Sequence, residues 1–129
     1  VARVLVVDDD EDVRDLVARW LRADGHDVLA VDGGALALAA IERHGLPQVA
    51  VLDVDMPGMD GVDLLRQLRR ADRYLPALFI TVLWSGLDLA RMRDAGAAYL
   101  PKPFTGMGLC AAVRRLAPDN RGPARDVTR

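Results

Sequence analysis

Four short apolar runs of this chain each lead into a residue that could handle a phosphoryl group. Val4-Leu5-Val6-Val7 runs into the acidic pair Asp8-Asp9, Val49-Ala50-Val51-Leu52 into Asp53, Leu78-Phe79-Ile80 into Thr81, and Ala98-Tyr99-Leu100 through Pro101 into Lys102. If the runs are neighbouring parallel strands, these groups collect at one edge of one sheet. Three carboxylates gathered there repel one another unless a cation lies between them. A hard divalent ion with oxygen ligands relieves the repulsion, and Mg2+ is the usual choice where phosphate is also bound. Asp53, at a strand end with Gly58 and Gly61 loosening the loop behind it, is placed as a nucleophile, since carboxylates form acyl phosphates in enzymes. Thr81 could hydrogen-bond one phosphoryl oxygen while Lys102 neutralises another as transition-state charge spreads over all three. Lys102 is the only lysine in the chain, kept where a compact, mobile ammonium is useful.

Each residue alone has an ordinary structural reading. An Asp pair after a strand is often a turn plus a helix cap, a strand-end threonine is a surface hydroxyl, and a lone lysine is a solvated charge. Asp10 and Asp12 read as cap and solvent residues at a helix N-terminus. The joint placement at four strand ends favours function.

The elements that must position these groups alternate regularly, as expected of βα units around a parallel sheet. Five such units can be counted. In the first helix Val13, Leu16, Val17, Trp20 and Leu21 follow a helical stripe, which makes Trp20 a core residue, and Gly25 is a natural stop. The second unit runs from Val28-Leu29-Ala30-Val31 through Gly33-Gly34 into an alanine-rich helix ending near His44-Gly45. Asp60 can cap a third helix carrying Val62, Leu65 and Leu68. Ser85-Gly86-Leu87-Asp88 resembles a capping box opening the fourth, and Leu109, Cys110, Val113 and Leu116 mark the fifth. Right-handed crossovers then put helices on both faces and a ligand site beyond the carboxyl ends of the strands. Residues 1–117 read as one domain, and 118–129 as a polar flexible tail or linker.

The 129 residues suit a single domain with its own core, half apolar, and a net charge of −2 offers nothing for nucleic acid or a membrane surface. One cysteine, Cys110, and two distant histidines exclude an internal disulfide and a zinc-ligand pattern. The expected setting is cytoplasmic, without a leader or a membrane span. Val1 in place of methionine is what an excised piece would show.

Val6-Val7-Asp8-Asp9, Leu52-Asp53, Met56-Pro57-Gly58-Met59-Asp60-Gly61, Ile80-Thr81 and Lys102-Pro103-Phe104 together resemble the receiver domain of two-component response regulators, from Arg3 to about Leu116. The resemblance implies a flavodoxin-like (βα)5 fold, a doubly wound parallel five-stranded sheet of strand order 2-1-3-4-5. It implies that Asp53 accepts a phosphoryl group from a phosphohistidine on a histidine kinase or histidine phosphotransfer protein. Asp9 and Asp53 would then bind Mg2+ directly, Asp8 largely through water, and Asp55 through its backbone carbonyl. Thr81 and Lys102 would contact the phosphoryl oxygens, the Lys102-Pro103 bond would be cis, and Tyr99 would be the switch aromatic that rotates inward as Thr81 moves. The face made by the fourth helix, fifth strand and fifth helix would carry partner binding or homodimerisation. Such a domain is not an enzyme beyond its own phosphorylation and dephosphorylation, and this stretch of chain would not itself bind DNA.

Four features depart from the family pattern. Val82 stands where a small residue usually follows the threonine. Gly96-Ala97-Ala98-Tyr99 is one residue short, Trp84 is either a partner contact or a cover for the fourth helix, and Asp55 adds a fourth carboxylate. Val51-Leu52-Asp53-Val54-Asp55 also resembles the nucleophile motif of haloacid-dehalogenase-type phosphatases. Those enzymes need a further acidic pair after the lysine, and only Asp119 and Asp126 follow Lys102. A degenerate receiver that works by docking alone is a third reading, against which the intact set of five residues argues.

Overall fold

Alternating apolar and amphipathic segments become five βα units in the computed structural model, which describes residues 2–82 and 86–118. In chain order they are β1 (Arg3–Val7), α1 (Glu11–Ala23), β2 (Asp27–Val31), α2 (Gly34–His44), β3 (Val49–Asp53), α3 (Gly61–Leu68), β4 (Ala77–Thr81), α4 (Gly86–Asp94), β5 (Ala98–Pro101) and α5 (Gly106–Leu116). The strands form one parallel sheet in the order β2-β1-β3-β4-β5. The central strands are near-continuous apolar runs because both of their faces are covered. Leu5, Val7, Ala50, Leu52 and Phe79 point to the side of α2, α3 and α4, where Ala37, Val62, Leu65, Leu68 and Met92 meet them. Val4, Val6, Val51, Leu78 and Ile80 point to the other side, against Val17 and Leu21 of α1 and Leu109 and Val113 of α5. The two-residue period of a strand thus feeds two cores from one sequence.

The helix ends follow from local chemistry. Asp10 caps α1, its side chain accepting from the N–H groups of Asp12 and Val13, and Gly25 beyond the helix takes φ +93. Asp60 caps α3 by accepting from Asp63 N–H, and Thr105 caps α5 by accepting from Gly108 N–H. Trp20 is half-buried on the α1–α5 side, its ring edge-on to Phe104 with centroids 6.0 Å apart, and Gly106 fits closely under the indole. The proposed capping box cannot be followed to its first residue, since Ser85 lies outside the described residues, as do Trp84 and the tail from Asp119 onward.

The turn before β5 is closed by Gly96 at φ +63. Arg69, just past α3, fastens it: its guanidinium donates to the carbonyls of Ala95 and Leu75 and more weakly to Gly96. Tyr99 still falls in register opposite Phe79.

Candidate functional site

The strand order decides which loops meet. β1 and β3 are neighbours, with Val7 opposite Leu52, so the residues that follow them emerge side by side. The carboxylates of Asp8, Asp9 and Asp53 come together there, with oxygen atoms all within 4.8 Å of one another. Asp8 and Asp53 are buried at 3% and 6% exposure, while Asp9 is open to solvent. Lys102 arrives from the far edge of the sheet, its Nζ 3.7 Å from Asp53 Oδ1. The Lys102–Pro103 peptide is cis, as the resemblance implies.

Three acids around one cation leave an excess of negative charge in a poorly hydrated place. Burial, and then the neighbouring charge of Asp8, push the Asp53 carboxyl up to about 7 against the partial relief from Lys102. Burial also raises Asp8, although Asp10 N–H donates to its Oδ1 at 2.9 Å. A hard-oxygen donor set with unrelieved repulsion is the arrangement that a small divalent cation suits. Asp8, Asp9 and Asp53 are the side chains that could hold one.

Thr81 ends β4 one residue past Ile80, the register partner of Asp53, and is buried. Its hydroxyl donates to the Val82 carbonyl at 3.1 Å, so the structure brings Thr81 to the adjoining strand end with its hydroxyl turned along its own chain. Val82 is half-buried beside it. Asp55 is exposed, two residues beyond β3, and acts on Asp53 only as a distant like charge. Tyr99 is 43% exposed on β5.

Sequence reasoning gave Gly58 and Gly61 one shared task, and the structure separates them. Gly58 takes φ +78 in open space, a turn residue. Gly61 is a packing requirement: a Cβ there would sit 2.1 Å from the Asp53 carbonyl oxygen, and Gly61 N–H donates to Val54 O at 3.0 Å. The first turn of α3 is thereby pressed against the backbone of Asp53. Two arginines also escaped the sequence reading. Arg14 donates to the Asp8 carbonyl at 3.1 Å. Arg91 of α4 grips the Asp60 carboxylate with both terminal nitrogens, at 3.0 and 3.3 Å. Only the i, i+6 spacing of Arg14 from Asp8 could have hinted at the first, and no local signal marks the second.

A cleft of about 520 Å³ lined by Asp9, Asp32, Leu36, Pro57 and Met59 opens beside the acidic cluster. A second cavity, of about 280 Å³, lies at the amino ends of β1 and β2, away from it.

The model of the response regulator receiver domain matches residues 4–114. The chain belongs to that family. Among curated relatives, this receiver is 46% identical over 117 residues to the response regulator MprA of Mycolicibacterium vanbaalenii, covering 88% of this chain and 49% of that protein. It is 39% identical over 115 residues to the transcriptional regulatory protein TrcR of Mycobacterium tuberculosis, covering 88% and 44%. The chain thus spans about half the length of the curated relatives it matches. Among solved structures, the chemotaxis protein CheY4 of Vibrio cholerae superposes with a TM-score of 0.82 at 29% identity, covering 90% of the receiver and 98% of CheY4. NtrX of Brucella abortus gives 0.82 at 32% identity, covering 89% and 26%. The receiver assignment makes this a signalling domain.

Proposed function

We propose that Asp53 is the phosphoacceptor of a two-component relay and that the donor is a phosphohistidine on a histidine kinase or histidine phosphotransfer protein. The observation that carries this reading is the buried Asp53 carboxylate, crowded by Asp8 and Asp9 and faced by Lys102 at 3.7 Å. An Asp53 carboxylate oxygen attacks phosphorus, the P–N bond breaks, and the imidazole leaves with its electron pair and recovers a proton from solvent. Mg2+ held by Asp9 and Asp53, with Asp8 through water and the Asp55 carbonyl, would supply positive charge to the phosphoryl oxygens. Lys102 neutralises part of the charge that builds on those oxygens, and its single ammonium can follow them as they move. Thr81 gives up its bond to Val82 O and donates to a phosphoryl oxygen instead. That inward step vacates space beside β5, into which Tyr99 turns. The surface of α4, β5 and α5 changes as a result and carries partner binding or homodimerisation. The length of the MprA and TrcR relatives supports a further reading, that this receiver governs an output made by another part of a longer regulator.

The test is the intact mass of the chain after incubation with phosphoramidate and Mg2+, beside Asp53→Asn. One added phosphoryl group, dependent on Mg2+ and absent from the variant, is the expected result. Addition to Asp53→Asn would place the acceptor elsewhere, and continuous hydrolysis of a phosphate ester would favour a phosphatase.

A further inference from the structure

Arg14 is a half-buried arginine in the second turn of α1, with its side chain 17% exposed. A guanidinium withdrawn from water must be repaid with hydrogen bonds. Its ion-pair neighbour gives little: Glu11 is 4.0 Å away and 78% exposed. The well-formed contact is Nη1 to the carbonyl oxygen of Asp8, at 3.1 Å.

That carbonyl sits where the sheet stops supplying partners. Asp8 N–H still reaches Val31 O at 3.2 Å, the last backbone bond along this edge. One residue on, the Asp8 side chain is fixed by Asp10 N–H at 2.9 Å, and Asp10 turns to capping α1 through Asp12 and Val13. Asp9 lies between these anchors. Its carboxylate has no hydrogen-bond or ion-pair partner among the described residues, so its position is set by the backbone turn on either side. Arg14 holds the carbonyl that enters this turn, and Arg14 N–H bonds Asp10 O at 2.9 Å on the way out. The second bond is the ordinary first backbone bond of α1, which any residue at 14 makes; what the Arg14 side chain adds is the hold on the entering carbonyl of the segment that presents Asp9 to Asp53.

We propose that Arg14 is a positioning residue for the metal site, holding the Asp8-Asp9 turn so that both carboxylates converge with Asp53. This inference rests on the reading of that cluster as a Mg2+ site. Its sign is not the Coulombic one. A bare cation near the cluster would weaken Mg2+ binding, and its removal would strengthen it. Removal of a clamp loosens the ligands and weakens binding, by about tenfold for groups that orient metal ligands from behind.

The experiment is a Mg2+ titration of the whole chain followed by amide proton–nitrogen correlation spectra, which report folding and metal binding together. Wild type, Arg14→Gln, Arg14→Lys and the control Glu11→Gln are compared. The expected result is Mg2+ affinity several-fold to about tenfold lower in Arg14→Gln, largely restored in Arg14→Lys, and unchanged in Glu11→Gln. The dispersed spectrum of the folded protein is retained in all four. Affinity in folded Arg14→Gln equal to or above that of wild type would overturn the clamp, and so would an Arg14→Lys protein as weak as Arg14→Gln. A folded wild type that does not respond to Mg2+ at all would instead overturn the metal-site reading beneath it.

Discussion

Replacing Asp53, the proposed phosphoacceptor, should make the metal-free protein more stable. Asp53 is ordinarily an acid of 3.8 and stands at about 7 in the fold, because burial and the charge of Asp8 disfavour its ionised form. The folded state therefore holds this proton more tightly than the unfolded chain does. The resulting stabilisation is fully present below pH 3.8 and is lost as pH rises through about 7. A displacement of about three pH units corresponds to about 4 kcal/mol at most, reached above pH 7. Asp53→Asn removes the charge while keeping the shape. The value of about 7 already nets off the attraction of Lys102, 3.7 Å away, so what offsets the gain is the burial of a poorly partnered Asn amide, at about 1–2 kcal/mol. A net gain of about 2–3 kcal/mol at pH 8 follows, or roughly 10 °C in Tm for a domain of this size. At pH 5 wild type is mostly protonated at Asp53, so the advantage of the variant should shrink by about 2.5 kcal/mol. Thermal and urea unfolding followed by circular dichroism, in chelator at both pH values, reads this directly. Equal stabilities at pH 8, or an advantage that does not change between pH 5 and pH 8, would refute the assignment of strain to this carboxylate.

Gly61→Ala should destabilise the fold by about 1–3 kcal/mol, because the new methyl overlaps the Asp53 carbonyl and either α3 or Asp53 must shift; urea unfolding measures it, and a neutral result would mean that α3 yields freely. Arg69→Gln should cost about 1–3 kcal/mol by stripping donors from the Leu75 and Ala95 carbonyls, with faster amide exchange around Gly96 as the local signature and global exchange alone as the contrary one. Val82→Ala should shorten the lifetime of a phosphoryl group on Asp53, since a branched side chain next to Thr81 narrows access for water; an equal or longer lifetime by intact-mass decay would sink that expectation.

The parallel sheet was legible because apolar runs of strand length recur between helix-period stripes, and because both faces of each central strand must be apolar; its strand order came only with the resemblance to receivers. Asp8, Asp9, Asp53 and Lys102 could be named for the same reason: a residue at the carboxyl end of a buried strand has one place to go. What stayed hidden are contacts that join elements far apart in sequence. Arg91 to Asp60 spans α4 and the start of α3, and Arg69 to Ala95 spans the end of α3 and the turn before β5. Neither leaves a period or a motif behind, since arginines on helix surfaces look alike until the packing angle is known. Gly61 was visible as a glycine, but a glycine chosen for a turn and one chosen for want of a methyl's width read alike. The hydroxyl of Thr81 was placed but not aimed, because a rotamer is decided by neighbours such as the Val82 carbonyl.

The contact between Gly61 and Asp53 gives Asp53 a stiff wall on one side and a compliant one on the other. Behind the Asp53 peptide there is less room than a methyl group needs, and the α3 helix beyond it is fixed through Asp60 to Arg91. A phosphoryl group on the carboxylate, as proposed, would find little room to recoil in that direction. Across from it, the Thr81 hydroxyl is held by a single exchangeable bond to its own neighbour. In the proposed switch the load would therefore be steered toward β4 and on to the strand that carries Tyr99, much as a ratchet needs one face that refuses to move.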